Sequence, residues 1–182
     1  MASAFAHAIA AVAVGKAFSL KNSWKFWLLG MLCAIIPDFD AIGFKLGVAY
    51  ESFWGHRGFT HSFVFAALLA AVVVVIFYRS ILPNQKHWWL LWLYFFIATA
   101  THPILDAMTT GGLGVAFFAP FDNTRYFLPW RPIQVSPIGI AEFFGERGMR
   151  VIKSELVWVF LPSLLFISVM YLLKRKKPSP QS

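Results

Sequence analysis

Three apolar segments, Ser62 to Tyr78, Trp88 to Ala107 and Leu156 to Leu173, are each close to the length that crosses a bilayer. A helix rises about 1.5 Å per residue and the hydrocarbon core is about 30 Å thick, so about 20 apolar residues make one span. Lipid offers no partner to backbone amides, and uniformly apolar segments of this length satisfy them as helices. The expected fold class is all-α, a polytopic membrane helical bundle. Two shorter apolar segments, Ala4 to Phe18 with Lys16 and Trp24 to Ile36 with Lys25, come first and read as an N-terminal helical hairpin. Three clear spans plus that hairpin allow up to five crossings. Composition agrees, since 59% apolar and 13% charged residues do not suit a soluble domain.

The opening MASAFAHAIAAVAVGK lacks a basic leader, so the segment is expected to stay in the mature chain. A single cysteine, Cys33, excludes an intrachain disulfide and a paired-cysteine metal site.

With five crossings, one side of the membrane receives Lys16, Lys21, Lys25, Arg79, Lys86, Lys174, Arg175, Lys176 and Lys177, and no acid. The other side receives all eight carboxylates and the remaining seven basic residues. The positive-inside rule makes the first side cytoplasmic, with the C-terminus inside and the N-terminus outside. Basic clusters at membrane exits serve topology and lipid headgroups, so no nucleic-acid partner is expected. Residues 1–173 read as one membrane-embedded domain and 174–182 as a basic cytoplasmic tail.

The polar residues of the apolar segments are not scattered. His7, Asp38 and Asp40 of "PDFD", His56 and His61 of "HRGFTHS", and His102 and Asp106 of "HPILD" all fall at the outer ends of their helices in this topology. His87, beside Trp88 and Trp89, falls at the other end. Ionisable groups in apolar segments cost several kcal/mol unless paired or bound to a cation, and their convergence points to a metal site. His102 and Asp106 are four apart, so a helix turns both to one side with their bases about 6 Å apart. Asp38 and Asp40, two apart in an expected extended turn, would place one carboxylate on a metal and the other on a neighbouring ligand. His56 and His61 are five apart, a spacing that suits a loop histidine followed by one at a helix start.

At "PDFD", "HRGFTHS" and "THPILDAMTTGG" the sequence resembles the YdjM-like (DUF457) family of membrane proteins, to which metal-dependent hydrolysis is ascribed from these motifs. The resemblance runs from His7 through the proline-rich loop. It implies metal roles for Asp38, His56, His61, His102 and Asp106, with His7 and Asp40 less firmly matched. It also implies an integral membrane protein of a bacterial inner membrane. The His-x-x-x-Asp spacing is distantly similar to that of zinc-dependent phospholipase C, an analogy of fold only.

The expected function is metal-dependent hydrolysis of a phosphate ester in a lipid or lipid-linked substrate, at the outer membrane–water interface. Mixed imidazole and carboxylate ligands suit Zn²⁺ or Mn²⁺, as one or two ions. Asp38 or Asp40 would orient or deprotonate water, and Arg57 would act on a phosphate oxygen, with Arg125 and Arg131 as further substrate contacts. Counting along the helix puts His102 roughly 21 Å and Asp106 roughly 27 Å from Trp88, near the outer headgroups, where a lipid substrate keeps its tails among the helices. A proton or metal-ion transporter and a non-catalytic membrane protein with a structural metal are the alternatives.

Overall fold

Serine starts three of the membrane helices. Ser3 caps α1 (Ala4–Ala17), Ser23 caps α2 (Trp24–Ile35) and Ser62 caps α4 (Phe63–Phe77). In each case the serine hydroxyl accepts from the backbone N–H three residues on, at 3.0–3.3 Å, which satisfies an otherwise orphaned amide. The computed structural model describes residues 1–18, 20, 23–137 and 140–175. Lys21, Lys176, Lys177 and the rest of the expected tail after Arg175 lie outside the described residues.

α2 does not stop at Ile36. It passes through a tight 3-10 turn, Ile36–Ala41, into α3 (Ile42–Lys45), giving an apolar helical stretch of 22 residues. α5 (Lys86–Ala107) is equally long and contains Pro103 without breaking. After the long loop come α6 (Ile140–Phe143), α7 (Glu146–Glu155), a π-helical turn at Leu156–Phe160, and α8 (Leu161–Arg175). The last three form one helical stretch of 30 residues that contains an apolar window long enough to cross a membrane.

The fold is therefore a helical bundle in which three stretches are long enough to cross a membrane. The long ones are not quite those expected. α4 has 15 residues, or roughly 22 Å, and ends where Tyr78 leaves the helical conformation. The second apolar segment, expected to be short, is lengthened by the 3-10 turn. Among the described residues no strand forms, and only isolated bridges join Thr109 to Ile133 and Val115 to Tyr126.

α5 is the hub, packed on α4, α2 and α1. Its Tyr94 and Phe95 are buried against Phe26, Leu29 and Cys33 of α2 and Val73 and Val74 of α4. Tyr94 and Phe26 stack at 4.1 Å. α8 packs on α1 at the edge of the bundle, and only 6% of the apolar window of this last helical stretch is buried within the protein. Ser3, the N-cap of α1, is tied to the end of α7 by Glu155, which accepts from Ser3 N and Ser3 Oγ at 2.5 Å.

Gly30 marks the tightest approach in the core. A Cβ there would lie 1.8 Å from Tyr94 Oη and 2.7 Å from its ring. Since Tyr94 is held by stacking, Gly30→Ala is expected to destabilise the bundle by about 1–3 kcal/mol, as overpacked cores do. Thermal unfolding in detergent measures this, and Tyr94→Phe in the same chain should restore part of the loss.

Candidate metal centre

The HRGFTHS segment reads as a set of local instructions. Arg57 takes a left-handed conformation, φ +64°, and reverses the chain. Gly58 follows where a Cβ would come within 2.3 Å of Phe53 O, so no other residue fits without a backbone shift. Thr60 Oγ1 donates to Asp40 Oδ2 at 2.5 Å, and Arg57 N approaches the same oxygen at 3.2 Å. Ser62 then starts α4. The result is that His56 and His61, on either side of the reversal, both face Asp40.

The PDFD segment is the second half of this fit. It is a 3-10 turn rather than the extended turn expected, because Pro37 sits in its first turn, where a missing N–H costs nothing. At three residues per turn, residues two apart point in different directions. Asp38 turns into the bundle and Asp40 turns towards the HRGFTHS loop. Asp40 Oδ1 lies 2.6 Å from His56 Nδ1, and Asp40 Oδ2 lies 3.1 Å from His61 Nδ1.

Inside, Asp38, His61, His102 and Asp106 meet. His61 Nε2 and His102 Nε2 are 3.0 Å apart. Asp38 Oδ1 is 3.4 Å from His102 Nε2 and 3.7 Å from His61 Nε2, and Asp106 Oδ2 is 4.0 and 3.6 Å from the same two atoms. His7 of α1 stacks on His102 at 3.7 Å and brings its Nε2 to 3.5 Å from Asp106 Oδ1. His7, His61, His102 and Asp106 have no exposed surface, and Asp38 is 8% exposed.

This donor set fits a divalent metal on three counts. Ligands at 2.0–2.2 Å from a tetrahedral ion are separated by roughly 3.3–3.6 Å, and the four donors straddle that spacing. The far nitrogens of the two central histidines are already committed, His102 Nδ1 to Ala34 O at 2.7 Å and His61 Nδ1 to Asp40, so each Nε2 can present its lone pair inward. Both oxygens of Asp38, Oδ2 of Asp106 and both nitrogens of His7 are buried without a hydrogen-bond partner, which is costly unless a cation takes their place. A second trio, Asp40, His56 and His61, also has donor atoms close enough for an ion and shares His61 with the first.

The field at the centre is negative. Burial disfavours charge on His61, yet the neighbouring carboxylates of Asp106, Asp38 and Asp40 outweigh it and raise its pKa to about 10. At His56 burial wins over the bond to Asp40, and its pKa is lowered.

The arginines are placed differently from one another. Arg57 is wholly buried, with Nε 3.1 Å from Asp106 Oδ2, Nη2 3.0 Å from Thr109 Oγ1 and Nη1 2.9 Å from Gly111 O. The Nε contact is an ion pair whose alignment falls short of a hydrogen bond. Arg125 is half-buried and donates to the carbonyls of His56 and Tyr50 at 2.7 Å, which clamps the loop from outside. Arg131 is exposed and lies 4.6 Å from the Phe127 ring. His87 is exposed at the far end of α5.

Two supporting side chains escaped sequence reasoning. Thr60 bridges Asp40 and His61, and Thr109 accepts from Arg57 while donating to Asp106 O at 2.7 Å. Both stand inside the quoted motifs, and that position was their only signal. The loop after α5 covers this end of the bundle, with Ala116 N bonded to Arg57 O at 3.0 Å and Leu128 N to Ala107 O at 3.0 Å.

The sequence profile of the YdjM inner membrane protein family matches residues 1–177. Inner membrane protein YbcI of Escherichia coli (strain K12) is 38% identical over 149 residues, which are 80% of this chain and 83% of that protein. No solved structure matches.

Proposed function

Because the chain belongs to the YdjM family of inner membrane proteins, we propose that it is a metal-dependent hydrolase of the membrane–water interface, acting on the phosphate ester of a lipid or lipid-linked substrate. The observation that carries this reading is the meeting of Asp38, His61, His102 and Asp106 around one buried centre, where both oxygens of Asp38 and Oδ2 of Asp106 lack a hydrogen-bond partner and the Nδ1 atoms of His61 and His102 are held from outside. These four residues hold the ion, Zn²⁺ or Mn²⁺, with His7 as a fifth donor, and His56 with Asp40 and His61 offers the place for a second. When bound, the metal supplies a Lewis acid that activates water and offsets charge on the phosphoryl oxygens.

Asp38 is the residue of this set with exposed surface, and it receives the proton of the attacking water. Asp40 orients His61 and His56 rather than touching substrate, and its loss is expected to weaken metal binding about 10–100-fold, as removal of such outer partners does. Titration of Asp40→Asn with Zn²⁺ in detergent measures that ratio. Arg57 positions Asp106 and Thr109. For it to reach a phosphate, as Arg125 and Arg131 would from the loop, the cover formed by residues 108–137 must open.

The second reading, a structural metal, draws on the complete burial of four of the donor residues. A catalytic site keeps one open coordination position and a structural site does not. Metal analysis of the purified protein, then a screen of phosphomonoesters and phosphodiesters with the metal-loaded protein in a bilayer, separates the two. Bound metal with turnover supports the hydrolase, and bound metal with no turnover of any ester leaves the structural site.

The metal end faces outward and the end bearing Lys16, Lys25 and Arg175 faces the cytoplasm, on the charge asymmetry of the loops. Glu51 is exposed on the loop before the HRGFTHS segment, and the native Cys33 is buried. Glu51→Cys is therefore expected to react with an impermeant thiol reagent added to intact cells. Reaction only after the cytoplasmic side is opened would reverse the orientation.

A further inference from the structure

Along its length α1 lines two hollows that the proposed chemistry does not use. Phe5, Ala8, Ile9 and Val12 of α1, spaced as one helical face that starts beside the metal centre, line the first with Met31 of α2 and Phe160, in a volume of about 300 Å³. One turn further along α1, a second hollow of about 440 Å³ lies between Lys16 and Lys174, with Tyr171 on the α8 wall. The two ammonium groups are held at its mouth. Lys16 Nζ lies 4.9 Å from the Trp27 ring centroid, and Lys174 Nζ donates to Phe18 O at 2.8 Å.

We propose that this groove binds one anionic phospholipid, its phosphate between Lys16 and Lys174 and an acyl chain along the Val12–Ile9–Ala8–Phe5 stripe. Charge selects the headgroup. The segments that meet here, residues 4–37 and 156–175 apart from Glu142, Glu146 and Glu155 upstream of them, contain no carboxylate, so the local field is positive. Apolar surface selects the tail, because α8 is apolar and barely covered by the rest of the protein, and the α1 stripe that lines the groove is apolar throughout. Lys16 to Phe5 spans about 16 Å of helix, room for much of an extended acyl chain. A free phosphate ion would leave the apolar stripe without an occupant.

The site is independent of the metal reading and is tested apart from it. Wild-type protein in neutral detergent is titrated with phosphatidylglycerol and with phosphatidylcholine of identical chains, and retained lipid is counted by native mass spectrometry. Phosphatidylglycerol is expected to be retained in preference. Lys16→Gln is expected to lower that retention about fivefold, the equivalent of one basic residue near a headgroup, and Lys16→Arg to keep it. Lys25→Gln, whose ammonium faces the Phe77 and Tyr78 rings instead, should change nothing. Ala8→Phe fills the middle of the groove and should reduce retention with all charges in place. Equal retention of the two lipids, or equal losses in Lys16→Gln and Lys25→Gln, overturns the proposal. If Lys16→Gln does not fold, Ala8→Phe decides alone, and unchanged retention there also overturns it.

Discussion

Replacing His102 by alanine is expected to strip the protein of stoichiometric divalent metal, while His87→Ala keeps it. His102 is wholly buried, its Nδ1 is fixed on Ala34 O, and its Nε2 faces His61 Nε2 at 3.0 Å and Asp38 Oδ1 at 3.4 Å. No nearby side chain replaces that atom, because His7 stacks on the His102 ring instead of lying behind it. His87 is on the same helix but fifteen residues earlier, about 22 Å along the axis, and exposed. Elemental analysis of the two purified variants gives the first readout. The second is thermal unfolding with and without added metal. A ligand at 100 times its dissociation constant stabilises the folded state by about 2.7 kcal/mol, and that increment should vanish in His102→Ala alone. A full equivalent of metal in His102→Ala would move the site elsewhere.

The meeting of these residues was legible in the sequence because membrane topology is a strong constraint. In the five-crossing arrangement that the charge asymmetry suggests, His7, Asp38, His61, His102 and Asp106 fall in one layer. One carboxylate of PDFD on the metal and the other on a neighbouring ligand was legible from their spacing, but not the turn that does it: a 3-10 turn, not an extended one, sends Asp38 inward and Asp40 to the histidine loop. His56 and His61 read as a pair, yet the reversal at Arg57 leaves His61 among three carboxylates, Asp38, Asp40 and Asp106, and His56 on Asp40 alone. Helix ends were blurred for a related reason. Apolar residues carry no signal for where the hydrogen-bonded ladder stops, so α4 came out shorter and the second helical stretch longer than hydropathy suggests.

Arg57 shows how far burial changes an expectation. From sequence it is a cation between two histidines, placed to grip a phosphate oxygen, and its removal would leave the fold alone. In the structure it has no exposed surface, and its guanidinium spans Asp106, Thr109 and Gly111 O. Removing one partner of a buried ion pair leaves the other charge uncompensated and costs about 3–5 kcal/mol. Arg57→Ala is therefore expected to destabilise the metal-free protein by about that amount, measured by unfolding in detergent. The same change removes a positive charge beside the centre, so it should tighten divalent-metal binding, and added metal should recover part of the lost stability. A phosphate-gripping arginine predicts another pattern, with stability and metal affinity near wild type and only turnover reduced. Arg57→Lys adds a further distinction. It keeps the charge but loses the fork that reaches Thr109 and Gly111 O together, so it should hold metal affinity near wild type while recovering only part of the stability. Unaltered stability in Arg57→Ala would show that Asp106 does not depend on this contact, and Arg57 would then return to the role that sequence alone suggests.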